Sequence, residues 1–387
     1  MFLTMTRRRN PALLEAAVEL HTQGAIEPDT YVIDRDAVNR NAAALAAAAD
    51  RHRVELWFVA KQYGRNPLIT ETIARHLPWA TAIDAREADA LLAGGAQLGN
   101  LGHLVQVPRR RLPSLLARQP SYVTVYDTDN LAAVAQAAAA VGIVQPVLLK
   151  IAGDPASVYP GQDGGILPDE IERVLAVANR YPSVRVAGAT GFPCIVFDQA
   201  AGTTTGTGTL ERVLQAGKIL QRNGLDAKLS LPSHTSVSTI PMIAGLGATF
   251  GEPGHALTGT TPEHAVNPDL AEVPAMVYVS EIAQLGTAPS VFGGGFYARG
   301  GARSLQVHTA HGTRSAQLLD TPAENIDYYR RFEWTEDGPA AHVGDTAIMA
   351  FRTQIFVTRS RVAVVSGIST GRPHLDGVFD SLGRALP

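Results

Sequence analysis

Between residues 54 and 250 the chain repeats one pattern. Short apolar runs fall near 54–60, 80–84, 103–107, 122–126, 146–151, 185–190, 227–231 and 248–250. Helix-like segments separate most of them, for example 86–94, 129–141, 168–180 and 209–223. Such β-α alternation argues for a parallel sheet with helical crossovers. Eight repeats over this length match a closed (β/α)8 barrel of the TIM type. A doubly wound sheet would instead favour a glycine-rich dinucleotide fingerprint after the first strand, and the sequence has none there.

In a (β/α)8 barrel the C-terminal strand ends carry the chemistry. The first run, Val54-Glu55-Leu56-Trp57-Phe58-Val59-Ala60, ends in Lys61, and turn-forming Gly64, Asn66 and Pro67 follow. A lysine delivered to the end of a buried strand loses hydration, and its pKa falls toward the range useful for carbonyl chemistry. A surface lysine at a strand end is the alternative on this window alone. The other ends read as Asp84, with Arg86 and Glu87 opening the next helix; His103 at the start of strand three; Tyr126-Asp127; and Lys150-Ile151 before a loop with Tyr159, Gln162 and Asp163. Strands six to eight end in Gly191-Phe192-Pro193-Cys194, Pro232-Ser233-His234-Thr235-Ser236 and Gly251-Glu252-Pro253-Gly254-His255.

Flanking segments differ in character. Residues 11–23 suit a short amphipathic helix, Thr30-Tyr31-Val32-Ile33 a strand, and Asp36 an N-cap for the alanine-rich helix after it. After about residue 262 helical periodicity fades. Runs at 275–282, 346–351, 354–358 and 362–365 read as strands between Gly and Pro turns. The expected organisation is an N-terminal helix and strand (1–36) that joins the β domain, a barrel (37–261) and a mostly β C-terminal domain (262–387). The formal charge of −3 gives no broad basic footprint for nucleic acid. No run approaches the ~20 apolar residues of a membrane span. Cys194 is the one cysteine, so no intramolecular disulfide can form, and a reducing cytoplasmic home is the natural reading. No Cys/His cluster has zinc spacing, so no metal is expected.

Three features converge on a phosphate-bearing, electron-withdrawing cofactor, pyridoxal 5'-phosphate. Lys61 can form an imine. Ser233, Thr235 and Ser236 offer hydroxyls ahead of a helix at 236–245, whose N-terminus favours an anion, and Gly251, Gly254 and Gly259 allow close backbone approach. Glu252 places an acid beside Pro253-Gly254. Read singly, the hydroxyl cluster is also consistent with helix capping, and Glu252 with a solvated loop carboxylate.

Together these residues resemble the alanine racemase-like (fold type III) pyridoxal-phosphate enzymes. The matching stretches are Val59-Ala60-Lys61 with Tyr63-Gly64, residues 231–236, and 252–259; residues 60–67 and 351–360 are similar to the YhfX-like branch of that group. The resemblance spans roughly residues 30 to 370. It implies Lys61 as the Schiff-base lysine and one of two racemisation bases. It implies Thr235, Ser236, Gly254 and His255 around the phosphate, with His234 in the same run and Tyr63 adding a phenol. Two more residues separate lysine from tyrosine in alanine racemases. Phe192 sits where the family often places a histidine on the cofactor ring, and a core phenylalanine is its alternative.

Glu252 is the informative departure. Alanine racemases place an arginine there, beside the pyridine nitrogen, whereas the related basic amino-acid decarboxylases place a glutamate. A carboxylate favours the protonated ring, a stronger electron sink. The second base is expected from Phe292-Gly293-Gly294-Gly295-Phe296-Tyr297-Ala298-Arg299. Tyr297 projects from a glycine-rich approach and Arg299 lowers its pKa; a glycine-rich hairpin with a buried tyrosine is the alternative. Cys194 is the rival base. Arg352, in the group Arg352-Thr353-Gln354, suits a substrate carboxylate, as does Arg299. The implied activity is an amino-acid racemase or epimerase that moves the α-proton between Lys61 and Tyr297 through a Lys61 aldimine. The implied substrate is an amino acid or amine, and the implied assembly a head-to-tail homodimer. A decarboxylase is the first alternative, although the decarboxylases use a C-terminal cysteine and this chain has none after Cys194. A metal-dependent lyase finds no acid partner spaced with His308 and His311. A non-catalytic cofactor carrier would lack the β domain.

Overall fold

The computed structural model describes residues 1–297, 300–322, 324–335 and 339–387. These form two compact units: 1–42 with 61–72 and 255–387, and 43–60 with 73–254. The first strand, β1 (Thr30–Asp34), belongs to the former and is taken up below.

The barrel unit holds eight parallel strands: β2 (Glu55–Leu56), β3 (Trp79–Ala82), β4 (Gln97–Leu101), β5 (Tyr122–Val125), β6 (Gln145–Lys150), β7 (Val184–Thr190), β10 (Lys228–Ser230) and β11 (Phe250–Gly251). A hairpin of β8 (Ile195–Asp198) and β9 (Thr203–Gly206) is inserted after β7. The spatial order is β2-β11-β10-β7-β6-β5-β4-β3. A bridge between Phe58 and Ala80 brings the last strand back to the first, so the barrel is nearly closed. Crossover helices start on side chains suited to the task. The carboxylates of Asp84 and Asp127 each accept a backbone N–H three residues on, both at 2.7 Å, and Thr207 does the same for Leu210 at 3.2 Å. These contacts satisfy donors that a helix start otherwise leaves open.

The barrel core is aromatic. Trp57 stacks on Phe250 with ring centroids 3.8 Å apart, and Tyr122 packs against both. Gly99 in β4 makes room for the indole: a Cβ there would lie 2.5 Å from the Trp57 ring. This explains the third strand. The apolar run 103–107 reads as strand, but the strand lies at Gln97–Leu101, where glycine and asparagine lower β propensity. Tertiary packing of Trp57 against Gly99, and a hydrogen bond from Thr124 Oγ1 to Asn100 Oδ1 (2.8 Å), select this segment instead. His103 therefore follows the strand rather than beginning it.

The second unit is built on a largely antiparallel sheet. Its strands are β1, β12 (Met276–Gln284), β13 (Ser290–Phe292), β14 (Ser304–Thr309), β15 (Gly312–Gln317), β16 (Tyr329–Arg331), β17 (Thr346–Met349), β18 (Arg361–Ser366) and β19 (His374–Asp380). The order is β15-β14-β17-β12-β1-β18-β19, with β13 joining β12 to β16. β1 is therefore central, antiparallel to β12 and parallel to β18, and all five of its residues are buried. Pro11–Thr22 is the N-terminal helix expected at 11–23, and a second helix, Phe2–Arg9, precedes it. Asp34, not Asp36, caps the alanine-rich helix Arg35–His52, accepting from Ala37 N at 2.9 Å; Asp36 instead accepts from Gly367 N. The expected strand at 354–358 is a 3-10 turn, Ile355–Val357. Among the described residues no helix is long and apolar enough to cross a membrane.

Candidate active site

In the barrel unit the strand ends gather polar groups at depth. Glu252 follows β11 and is buried, with its side chain 3 % exposed. Its backbone N–H donates to Thr235 Oγ1 (3.1 Å), Ser230 Oγ donates to its Oε1 (3.3 Å), and His103 Nε2 lies 3.5 Å from its Oε2. Glu252 is therefore a held, desolvated carboxylate rather than a solvated loop acid. His103 is equally buried, and Tyr126 OH donates to its carbonyl at 2.8 Å. The half-buried Phe192 meets His103 edge-on at 5.9 Å.

The run 232–236 contains two consecutive non-glycine residues at positive φ, Ser233 (85°) and His234 (45°). Such backbone strain persists only where surroundings over-determine it. Thr235 and Ser236 are buried, and the Ser236 hydroxyl meets those of Ser238 (2.9 Å) and Thr239 (3.2 Å). The helix expected at 236–245 is shorter, Ile240–Gly245, so the Ser/Thr run forms a turn ahead of it and not its first turn. Gly254 is buried as well.

Sequence reasoning placed Lys150 at a strand end without giving it a role. It is fully buried, its Nζ donates to Ile151 O at 2.9 Å, and the ammonium lies 5.8 Å from the Tyr126 ring. Burial lowers its pKa to about 8, offset in part by the fields of Cys194 and Asp163. Cys194, also fully buried, is pushed up to about 12 by desolvation. A thiol held there stays protonated at neutral pH and is a poor base.

The second unit contains Lys61, and it ties the lysine's segment to several other expected site residues. Lys61 is half-buried and opens a short 3-10 turn, Lys61–Tyr63. The next residue, Gln62, approaches His255 Nδ1 at 3.5 Å, and His255 Nε2 meets the carbonyl of Thr353 at 2.9 Å. Thr353 lies between Arg352 and Gln354, both half-buried. Its hydroxyl contacts Tyr31 OH at 3.0 Å, and Tyr31 OH donates to the carbonyl of Gly295. The half-buried Tyr297 stands two residues further on. One hydrogen-bonded chain thus joins the Lys61 turn, His255, the Arg352-Thr353-Gln354 group and the glycine-rich approach to Tyr297. Tyr63 is fully buried, with its hydroxyl 3.2 Å from Thr70 Oγ1. Arg299 lies outside the described residues. Among the described residues no group of three or more His, Cys, Asp or Glu side chains is placed to hold a metal ion.

The approach to Tyr297 is held from two sides by carboxylates. Asp327 Oδ2 accepts from Gly294 N (2.7 Å) and Phe296 N (3.1 Å). Asp29 backs directly onto Gly294, which has φ +116° and no room for a Cβ, and it accepts from Tyr278 OH at 2.9 Å. Burial raises Asp29 from the usual 3.8 to about 7. The Tyr278 hydrogen bond, Arg359 and Arg361 oppose the shift, and Asp327 adds to it. The folded state therefore binds more protons than the unfolded chain between pH ~4 and ~7, and stability falls as pH rises through that window. Asp29→Asn keeps an acceptor for Tyr278 without the charge. Its Tm is expected to exceed that of the wild type at pH 8, with the gain shrinking toward pH 4; thermal unfolding across that range checks it.

The barrel unit fits a phosphorylated pyridine. Thr81 Oγ1, Asn100 Nδ2 and Thr190 Oγ1, in the C-terminal halves of β3, β4 and β7, are buried without hydrogen-bond partners. Buried polar atoms of this kind call for a polar ligand or water. With a held carboxylate, buried hydroxyls and Gly254, the donor set suits a group bearing one basic ring nitrogen and one anion.

Comparison with known proteins divides the chain near residue 262, so that the end of β1 and the Lys61 segment fall within the first match although they pack in the second unit. Residues 33–262 match the model of the alanine racemase N-terminal domain, and residues 277–375 that of the YhfX-like C-terminal domain. The chain is 37 % identical over 391 residues to the protein YhfX of Escherichia coli (strain K12), covering 100 % of both. Among solved structures it is similar to D-threonine aldolase from Filomicrobium marinum (TM-score 0.66, 18 % identity, 93 % of this chain and 96 % of that one). It is also similar to alanine racemase from Clostridium difficile 630 (0.64, 14 %, 91 % and 98 %). Diaminopimelate decarboxylase from Helicobacter pylori, complexed with L-lysine, is a third (0.63, 12 %, 92 % and 94 %). At these identities the structures show a shared fold that serves racemases, decarboxylases and aldolases alike.

Proposed function

Because the chain belongs to the alanine racemase-like family, in the branch with a YhfX-like C-terminal domain, we propose that it is a pyridoxal 5'-phosphate-dependent amino-acid racemase or epimerase. The observation that carries this reading is the hydrogen-bonded chain Gln62–His255–Thr353–Tyr31–Gly295. It fixes, relative to each other, the turn that begins with Lys61 and the approach to Tyr297. Inversion at a carbon needs two proton carriers in a fixed relation.

When bound, pyridoxal phosphate supplies an electron sink that lets the α-proton of an attached amino acid leave. Lys61 would hold the cofactor covalently and, once displaced by the substrate amine, would carry a proton at Nζ. Tyr297 carries the other proton at its phenol oxygen. The Glu252 carboxylate, already desolvated and hydrogen-bonded, would favour a proton on the ring nitrogen. Thr235 and Ser236, with the main chain of Gly254 and His255, would hold the phosphate, and His234 and Tyr63 would border it. His255 contributes its main chain because both its ring nitrogens are engaged by Gln62 and Thr353. Phe192 would lie against the ring. Arg352 and Gln354 orient the substrate carboxylate, with Arg299 as a further cation. We carry over the family's homodimer as the working assembly.

A second reading, decarboxylation, is favoured by the burial of Glu252 alone. The test is to incubate the loaded protein with L- and D-amino acids in deuterium oxide. Incorporation of α-deuterium with inversion is expected. Release of the carboxylate would mean a decarboxylase, and no exchange with any substrate would remove both readings.

A further inference from the structure

We propose that the cavity beside Tyr297 is a carboxylate-binding site centred on Arg330, and that the substrates are amino acids with a side-chain carboxylate. The cavity, about 280 Å³, is lined by Phe296, Tyr297, Arg303, Asp320, Asp327 and Arg330 among others. Arg330 comes from β16 and is half-buried, with its guanidinium 4.5 Å from the centre of the Phe296 ring. Its Nε is buried and makes no hydrogen bond, and no carboxylate of the described residues forms an ion pair with it. Burial lowers its pKa, while Asp327 and Asp320 act on it from further away and partly offset that.

The neighbouring charges are committed elsewhere. Asp320 pairs with Arg303 at 3.1 Å, and Asp327 accepts the backbone N–H groups of Gly294 and Phe296. Asp327 Oδ1 is buried without a hydrogen-bond partner, and among the described residues no ion pair joins this acid to Arg330. What remains is a cation, partly stripped of water, facing a cavity of substrate size. An arginine so placed matches a carboxylate through two parallel N–H bonds, and the aromatic face beneath it fixes its plane.

A second guanidinium is left in the same condition. Phe296 stacks on Phe351 (ring centroids 5.2 Å apart, 16° between planes), and Phe351 precedes Arg352, whose Nε is also buried without a hydrogen bond. Arg330 thus lies over one ring of this aromatic stack and Arg352 follows the other in the chain, neither with an acid partner among the described residues, and Tyr297 follows Phe296. If Arg352 takes the α-carboxylate, Arg330 takes a second one. A monocarboxylic amino acid leaves Arg330 unsatisfied, which disfavours it as substrate. The link to substrate rests on the racemase reading; the anion site does not.

The test uses the full-length protein loaded with pyridoxal phosphate and two probes without an amine, glutarate and butyrate, titrated by calorimetry. Glutarate is expected to bind at least about tenfold more tightly than butyrate, the value of one bidentate charged pair. Arg330→Gln and Arg330→Met, the second keeping an apolar stem on Phe296, are each expected to remove that advantage and leave butyrate binding unchanged, with thermal unfolding confirming that both fold. Equal binding of the two probes to the wild type, or full glutarate affinity in both variants, overturns the proposal. Loss of butyrate binding in the variants also overturns it, since Arg330 would then hold the only carboxylate. Absence of α-deuterium exchange with any amino acid, alongside lost glutarate binding in the variants, supports the anion site and counts against the racemase reading alone.

Discussion

Lys61→Ala is expected to lower α-proton exchange by about 10⁴-fold or more, the scale seen when a nucleophile acting with its partners is removed. It is also expected to leave no covalent adduct when the protein, mixed with pyridoxal phosphate, is reduced with borohydride and weighed by mass spectrometry. Two roles end together, because one amine both holds the cofactor and carries a proton. Alanine at this position leaves Gln62, and through it His255 and Thr353, free to keep their contacts. The fold should therefore survive, and cofactor should still bind without being linked. A reduced adduct of wild-type mass in the variant would refute the assignment, and so would exchange within tenfold of the wild type.

Glu252→Gln carries the second largest expectation. The amide keeps an acceptor for Ser230 Oγ and leaves the backbone contact to Thr235 untouched, so thermal stability should change little. What disappears is the negative charge in a dry site, where such charges act strongly. Turnover is expected to fall about 10²–10³-fold, the usual cost of removing one preorganised electrostatic contact. The ligand's absorption should also change where it reports ring protonation. Unchanged turnover with an unchanged spectrum would show that Glu252 supports the barrel and does not face the ring.

The barrel could be read from the chain because its signal is periodic. Apolar runs alternating with capped helices leave few topologies, and Asp84 and Thr207 cap where their types lead one to expect. The third strand could not be read. Gln97-Leu98-Gly99-Asn100-Leu101 lacks β-branched residues, and its glycine is required by Trp57, 42 positions earlier in the chain. In the C-terminal half β13 and β16 were missed because three residues carry too little pattern, and β14, β15 and β19 because most of their residues stay partly or fully exposed and leave no apolar run. The chemistry of isolated motifs behaved differently. Lysine, glutamate and the Ser/Thr run stood out because residue type alone advertised them. His103 beside Glu252 is a meeting of distant positions that no local window contains. Lys150 was visible at its strand end, but only burial shows how costly its placement is. Arg330 gave no signal, because an arginine on an exposed-looking strand is ordinary until its lack of an acid partner is seen.

The central place of β1 sets a timetable for synthesis. Its strand neighbours begin at Met276 and Arg361, so Thr30–Asp34 leaves the ribosome some 240 residues before either is made. At 5–20 residues per second that is a delay of about 12–50 s. Throughout it, a five-residue strand with an apolar centre waits with both hydrogen-bonding edges open, a template for unwanted pairing with other chains. The barrel strands, complete by Gly251, can form meanwhile. A chain stopped at the end of the barrel keeps β1 in that waiting state permanently, which makes the N-terminal strand a load on any barrel-only fragment and a natural client for a holding chaperone on the full-length one.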